Sequence, residues 1–98
     1  MTHCLVWQFE VAPEHRAEFE RIYAADGDWA RLFAQGEGFL GTDLLTDAET
    51  PGRYLTLDRW RSAGDFAVFK RSHAAAYATL DAACEHLTIT ETRIGAFA

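Results

Sequence analysis

The sequence predicts an α+β fold of the ferredoxin-like kind, with element order β-α-β-β-α-β. Three observations predict it. Apolar residues recur in the β manner at His3–Val11, Phe39–Thr46 and Arg53–Trp60, and a fourth run, Leu87–Phe97, is rich in Thr and Ile. Apolar stripes at helical spacing fill the intervals after the first and third of these runs. A single short loop with turn formers joins the middle two. This order gives a four-stranded antiparallel sheet with its helices on one face. The 98 residues are read as one domain, 1–98.

Each element has its own signal. In the first strand His3, Leu5, Trp7, Phe9 and Val11 face one way, and Cys4, Val6, Gln8 and Glu10 the other. Pro13 suits a helix start, where its missing N–H costs nothing. Glu14–Ala25 carries Phe19, Ile22 and Tyr23 on one helical face, and Asp26, Gly27 and Asp28 interrupt it. Asp28 is the expected cap of a short second helix, Trp29–Gln35, which Gly36 and Gly38 end. Pro51 and Gly52 sit in the loop of an antiparallel hairpin formed by Phe39–Thr46 and Arg53–Trp60. Ser62, with Asp65 three residues on, opens a helix expected to run to about His86. Phe66, Phe69, His73, Tyr77, Leu80 and Cys84 recur on one of its faces. The final strand is expected over Leu87–Phe97.

Composition narrows the class. Hydrophobic residues make up 49% and aromatics 13%, which excludes a disordered chain. The net charge of −6 argues against nucleic acid or an anionic membrane surface as partner. No apolar run approaches membrane-span length, and no signal peptide is evident at the start, so a cytoplasmic protein is expected. Cys4 and Cys84 are expected as buried free thiols, and no metal-binding spacing occurs. Large apolar groups occur on both alternating sets of the hairpin. An antiparallel sheet with one wet face shows cleaner alternation. The expected remedy is a homodimer, with a second copy covering the open face.

The chain resembles the antibiotic biosynthesis monooxygenase family of dimeric α/β barrels. The residues that carry the likeness are Phe9-Glu-Val-Ala-Pro13 leading to Phe19, Gly38-Phe-Leu-Gly-Thr42, and Pro51 through Trp60. Ser62 to Phe66, Phe69 and the Ser72-His73 pair add to it. The resemblance implies a pocket between sheet and helices in each subunit. It also implies one of several activities, among them oxidation of polyketide- or quinol-like aromatics by molecular oxygen without metal or organic cofactor. A heme-degrading branch of the family uses an Asn on the first strand, and a Trp and a His on the second long helix. Here Trp7, Phe69 and Thr79 stand at those places, so the resemblance does not extend to heme chemistry.

Cofactor-free oxygenation needs a phenolic substrate to lose its proton, hence a base or cation beside the hydroxyl and apolar walls around the ring. His73 and Tyr77 are the candidate catalytic residues, with His3 and Arg93 as further candidates. Trp7, Trp29, Phe33, Tyr54, Trp60, Phe66 and Phe69 are candidates for binding a small aromatic ligand by stacking. Asp58 is expected to partner Arg59 or Arg53, or to serve an interface. The same residues also suit a non-catalytic binder or a dimerisation module with a filled core.

Overall fold

Strand β1 (His3–Glu10) lies inside the sheet because both of its edges are paired, one with β3 (Arg53–Trp60) and the other with β4 (Thr90–Phe97). β2 (Phe39–Thr46) adds to β3, giving the order β2-β3-β1-β4 with all neighbours antiparallel. The computed structural model describes residues 1–98 and has the expected ferredoxin-like α+β fold. Leu5 stands opposite Asp58, Trp7 opposite Thr56 and Phe9 opposite Tyr54. Opposed residues of an antiparallel pair share a face. The helix-covered face therefore holds these residues together with Trp60, with Thr42 from β2, and with Glu91 and Arg93 from β4.

Pro13 opens a 3₁₀ turn that leads into α1 (Arg16–Tyr23), which buries Phe19, Ile22 and Tyr23. In α2 (Asp28–Phe33) the expected cap is corrected by one residue. Gly27 holds the cap position and Asp28 begins the helix, its side chain bonded to Arg31 at 2.9 Å. Gly27 is required there because a Cβ would strike the carbonyls of Arg21 and Ile22.

Ser62 caps α3 (Ala63–Ser72) as expected, its hydroxyl accepting from the Asp65 N–H at 3.1 Å. The single long helix does not form. His73, at φ −118° and ψ 26°, leaves the helix, and α4 (Ala74–Cys84) starts anew beyond it. Phe69, His73 and Tyr77 are spaced by four on either side of the break, so the apolar stripe continues through it and periodicity cannot reveal it. The last strand begins at Thr90. Leu87, expected in that strand, instead lies in a 3₁₀ turn, Glu85–Leu87, and is buried in the core.

The core is centred on Trp60, which is fully buried. The rings of Phe33, Phe39, Phe66 and Phe69 surround it with centroids 5.2 to 5.9 Å away. Gly36 allows this packing, since a Cβ there would meet Phe69 at 2.8 Å and the Trp60 ring at 3.1 Å. The opposite sheet face is uncovered in the single chain and carries Val6, Leu45, Leu55, Leu57 and Phe97. Leu45 is 47% exposed and Phe97 51%. Arg59 pairs with Asp43, and Arg53 with Asp47, so neither is the partner of Asp58. Alternation explains the correction: Asp58 points to the helices while both arginines point away from them. Cys4 and Cys84 are free thiols, but only Cys84 is buried, since Cys4 lies on the uncovered face.

Candidate functional site

The helical layer covers the sheet unevenly. Six of the eleven residues of α4 are Ala, and its larger groups Tyr77, Leu80 and Cys84 reach inward. All six alanines are exposed, and between the inward groups and the sheet a space is left unfilled. The resulting cleft has an inner compartment of about 40 Å³ walled by Trp7, Phe9, Tyr23, Trp29 and Phe33. Its polar groups come from Thr42, Thr56, Asp58, Tyr77, Asp81 and Glu91. An outer compartment of about 380 Å³ shares Trp7, Phe33, Asp58 and Tyr77 with the inner one. His3, Phe66, Lys70 and Arg93 line this mouth.

Asp58 is the most deeply buried carboxyl group of the cleft, at 8% exposure. Its Oδ1 accepts a hydrogen bond from Thr42 Oγ1 at 2.8 Å, and Oδ2 accepts none from the protein. Burial pushes its carboxyl up to about 6, against the opposing effects of the Thr42 bond and the Arg59 charge. Tyr77 is pushed up to about 12, by burial first and then by Asp81, Asp58 and Glu91. Its hydroxyl therefore stays protonated at neutral pH. The Lys70 ammonium sits 3.8 Å from the centre of the Tyr77 ring, and Trp29 meets that ring edge-on at 5.0 Å. Burial and the neighbouring Asp81 also raise Glu91. The cleft is thus acidic inside and lined by Lys70 and Arg93 outside.

Among the residues singled out from the sequence, Trp7, Trp29, Phe33 and Tyr77 come together at the inner compartment, and Phe66 lies at the mouth. Tyr54, Trp60 and Phe69 are packed in the core, outside the cleft. The two candidate catalytic residues are not brought together. His73 stacks on Phe69 at 4.9 Å and borders a separate depression with Gln35 and Ser72. Its Nδ1 is buried without a hydrogen-bond partner. Asp58, expected to pair with an arginine or to serve an interface, instead faces the cleft. Its signal was present, because it falls on the same alternating set as Tyr54, Thr56 and Trp60. No three His, Cys, Asp or Glu side chains are arranged to hold a metal ion. No helix is long and apolar enough to cross a membrane.

Solved structures share this architecture. The chain is similar to SnoaB, a cofactor-independent oxygenase from Streptomyces nogalater, with 24% identity and a TM-score of 0.80 over 99% of this chain and 91% of that one. A mutant form of SnoaB matches at 26% identity and a TM-score of 0.79, with the same coverage. Rv0793 from Mycobacterium tuberculosis matches at 16% identity and a TM-score of 0.71, over 100% of this chain and 94% of that one. No curated protein matches the sequence. The family model for antibiotic biosynthesis monooxygenases matches residues 2–79, which span all the helices but the end of α4 and every strand but β4. With most of the chain matched and the fold shared, the protein belongs to the antibiotic biosynthesis monooxygenase family.

Proposed function

We propose that the protein is a monooxygenase that oxidises a small polyketide- or quinol-like aromatic with molecular oxygen. The observation that carries this reading is the cleft itself: Trp7, Trp29, Phe33 and Tyr77, from a strand and two helices, form flat walls that end on polar groups. Such walls hold a flat ring by stacking and edge contacts while the polar end fixes its orientation. The family and the description of SnoaB as a cofactor-independent oxygenase support the choice of reaction. The chemistry balances without an added reductant. A phenol with a free ring C–H gives up both hydrogens, one oxygen atom becomes the new ring carbonyl, and the other leaves as water. The substrate supplies all four electrons that oxygen takes. Phe66 at the mouth extends the apolar surface, and Tyr77 donates its hydroxyl to the substrate's oxygen.

The reading includes a cytoplasmic homodimer, joined through the open face of the sheet. Leu45, Leu55, Leu57, Val6 and Phe97 form its apolar centre, where exposure in a single chain is costly. Oxygen uptake with a dihydroxyanthrone tests the activity. Turnover above the uncatalysed rate, abolished under nitrogen, is the expected result. A ligand bound and recovered unchanged in air would instead mark a binding protein. For the assembly, Leu57→Glu places a charge at mid-face and is expected to yield monomers by light scattering. A variant that stays dimeric would remove this face from the interface.

A further inference from the structure

We propose that Asp58 is the proton acceptor of the cleft, its free Oδ2 taking the proton of a phenolic hydroxyl while Thr42 holds Oδ1. The assignment deepens the monooxygenase reading, and its oxidative step rests on that reading. Asp58 lines both compartments, and the Thr42 bond leaves one carboxylate oxygen without a protein partner. That oxygen lies open to the cleft, where a ligand hydroxyl can donate to it.

The surrounding groups favour Asp58 over its neighbours. From α4, Tyr77 keeps its own proton, and Asp81 is exposed. From β4, Glu91 and Arg93 are exposed, and from α3 so is Lys70. His3 reaches the mouth from β1, and Arg59 lies behind the sheet. A pKa of about 6 puts Asp58 in the range where a base is ionised at neutral pH yet not too weak to accept a proton. Transfer to Asp58 also leaves the local charge unchanged, since the negative charge moves from carboxylate to ring. That matters beside Asp81 and Glu91, which oppose any added anion.

The steps balance. Asp58 takes the hydroxyl proton, and the phenolate gives electrons to oxygen and forms a C–O bond, leaving a peroxide anion. Asp58 returns the proton to the distal oxygen. The ring C–H then loses its proton, the O–O bond breaks, a carbonyl forms, and the released hydroxide combines with that proton as water.

The test has a binding arm and a turnover arm. Naphthol and its methyl ether are titrated against the protein by calorimetry under nitrogen, from about pH 5 to about pH 8. A hydrogen bond to a charged acceptor makes the wild type prefer naphthol by about ten-fold or more at the upper end, with the preference fading below about pH 6. In Asp58→Asn the two ligands bind within about two-fold of each other. In oxygen uptake with a dihydroxyanthrone, Asp58→Asn is expected to fall by about 100-fold or more and to lose the acid limb of the pH profile. Thr42→Val removes a bond that favours the ionised carboxylate, so its acid limb moves to higher pH. That shift also serves if Asp58→Asn fails to fold. Equal affinity of the wild type for the two ligands, or a preference that survives Asp58→Asn, overturns the assignment. A preference lost in Asp58→Asn without oxygen uptake by the wild type overturns the monooxygenase reading and leaves Asp58 as the phenol acceptor.

Discussion

The same sheet face is covered twice, by α3 and by α4, with opposite results. Beneath α3, Trp60 and Phe69 are at most 1% exposed and the space is filled. Beneath α4, Trp7 and Tyr77 remain half-buried and flank a cleft. The difference lies in the helices. α3 brings Phe69 down onto Trp60, whereas the inward groups Tyr77 and Leu80 of α4 are only partly buried. An aromatic ring becomes core where the opposite element supplies bulk, and a wall where it does not. The break at His73 separates the two regimes.

Substitutions on the two sides sharpen this contrast. The largest effect is expected for Trp60→Ala, which removes the centre of the packed side and costs about 3–5 kcal/mol. Trp7→Ala, on the open side, costs less than half as much because part of the cavity already exists. Urea denaturation compares them, and equal losses would erase the distinction.

Asp58 comes next, with a stability effect of unusual sign. Its carboxyl is raised from 3.8 to about 6 in the folded state, so the folded protein binds its proton more tightly than the unfolded chain does. The penalty for ionising it is absent below about pH 4, grows as pH rises through about 6, and is complete above that. Two pKa units correspond to about 3 kcal/mol. Asp58→Asn is therefore expected to be more stable than the wild type at about pH 8, by roughly 2–3 kcal/mol, with the gap closing below about pH 4. A variant less stable at the higher pH would show that the carboxylate is held for structure and not against it.

Smaller effects follow along the helix. Tyr77→Phe keeps the ring under Lys70 and against Trp29 but removes the donor. Oxygen uptake is expected to fall about ten-fold, with stability changed by less than about 1 kcal/mol. His73→Ala is expected to cost about 1 kcal/mol through its stacking on Phe69. Its turnover should stay within about two-fold of wild type. A loss as large as that of Asp58→Asn would return His73 to the chemistry.

How far the chain could be read from residues varied with the range of the interaction. Two strand boundaries, Phe39–Thr46 and Arg53–Trp60, coincide with the observed β2 and β3, because alternation and turn residues are local. The Ser62 cap is equally local. The helix break at His73 was invisible, since a stripe spaced by four continues through it. Leu87 was misplaced because a β-like composition also suits a buried turn.

The sequence by itself determined the order of elements, the sheet topology that follows from it, and the surplus of aromatic and two-sided apolar residues. These follow from periodicity, capping and composition, which act over a few residues. Only the tertiary structure decided which rings fill the core and which line the cleft. It also turned Asp58 away from Arg59 and toward Thr42, and parted His73 from Tyr77. Those outcomes depend on what the facing element brings to each point of the sheet: Phe69 closes the space over Trp60, and Tyr77 only borders the space beside Asp58.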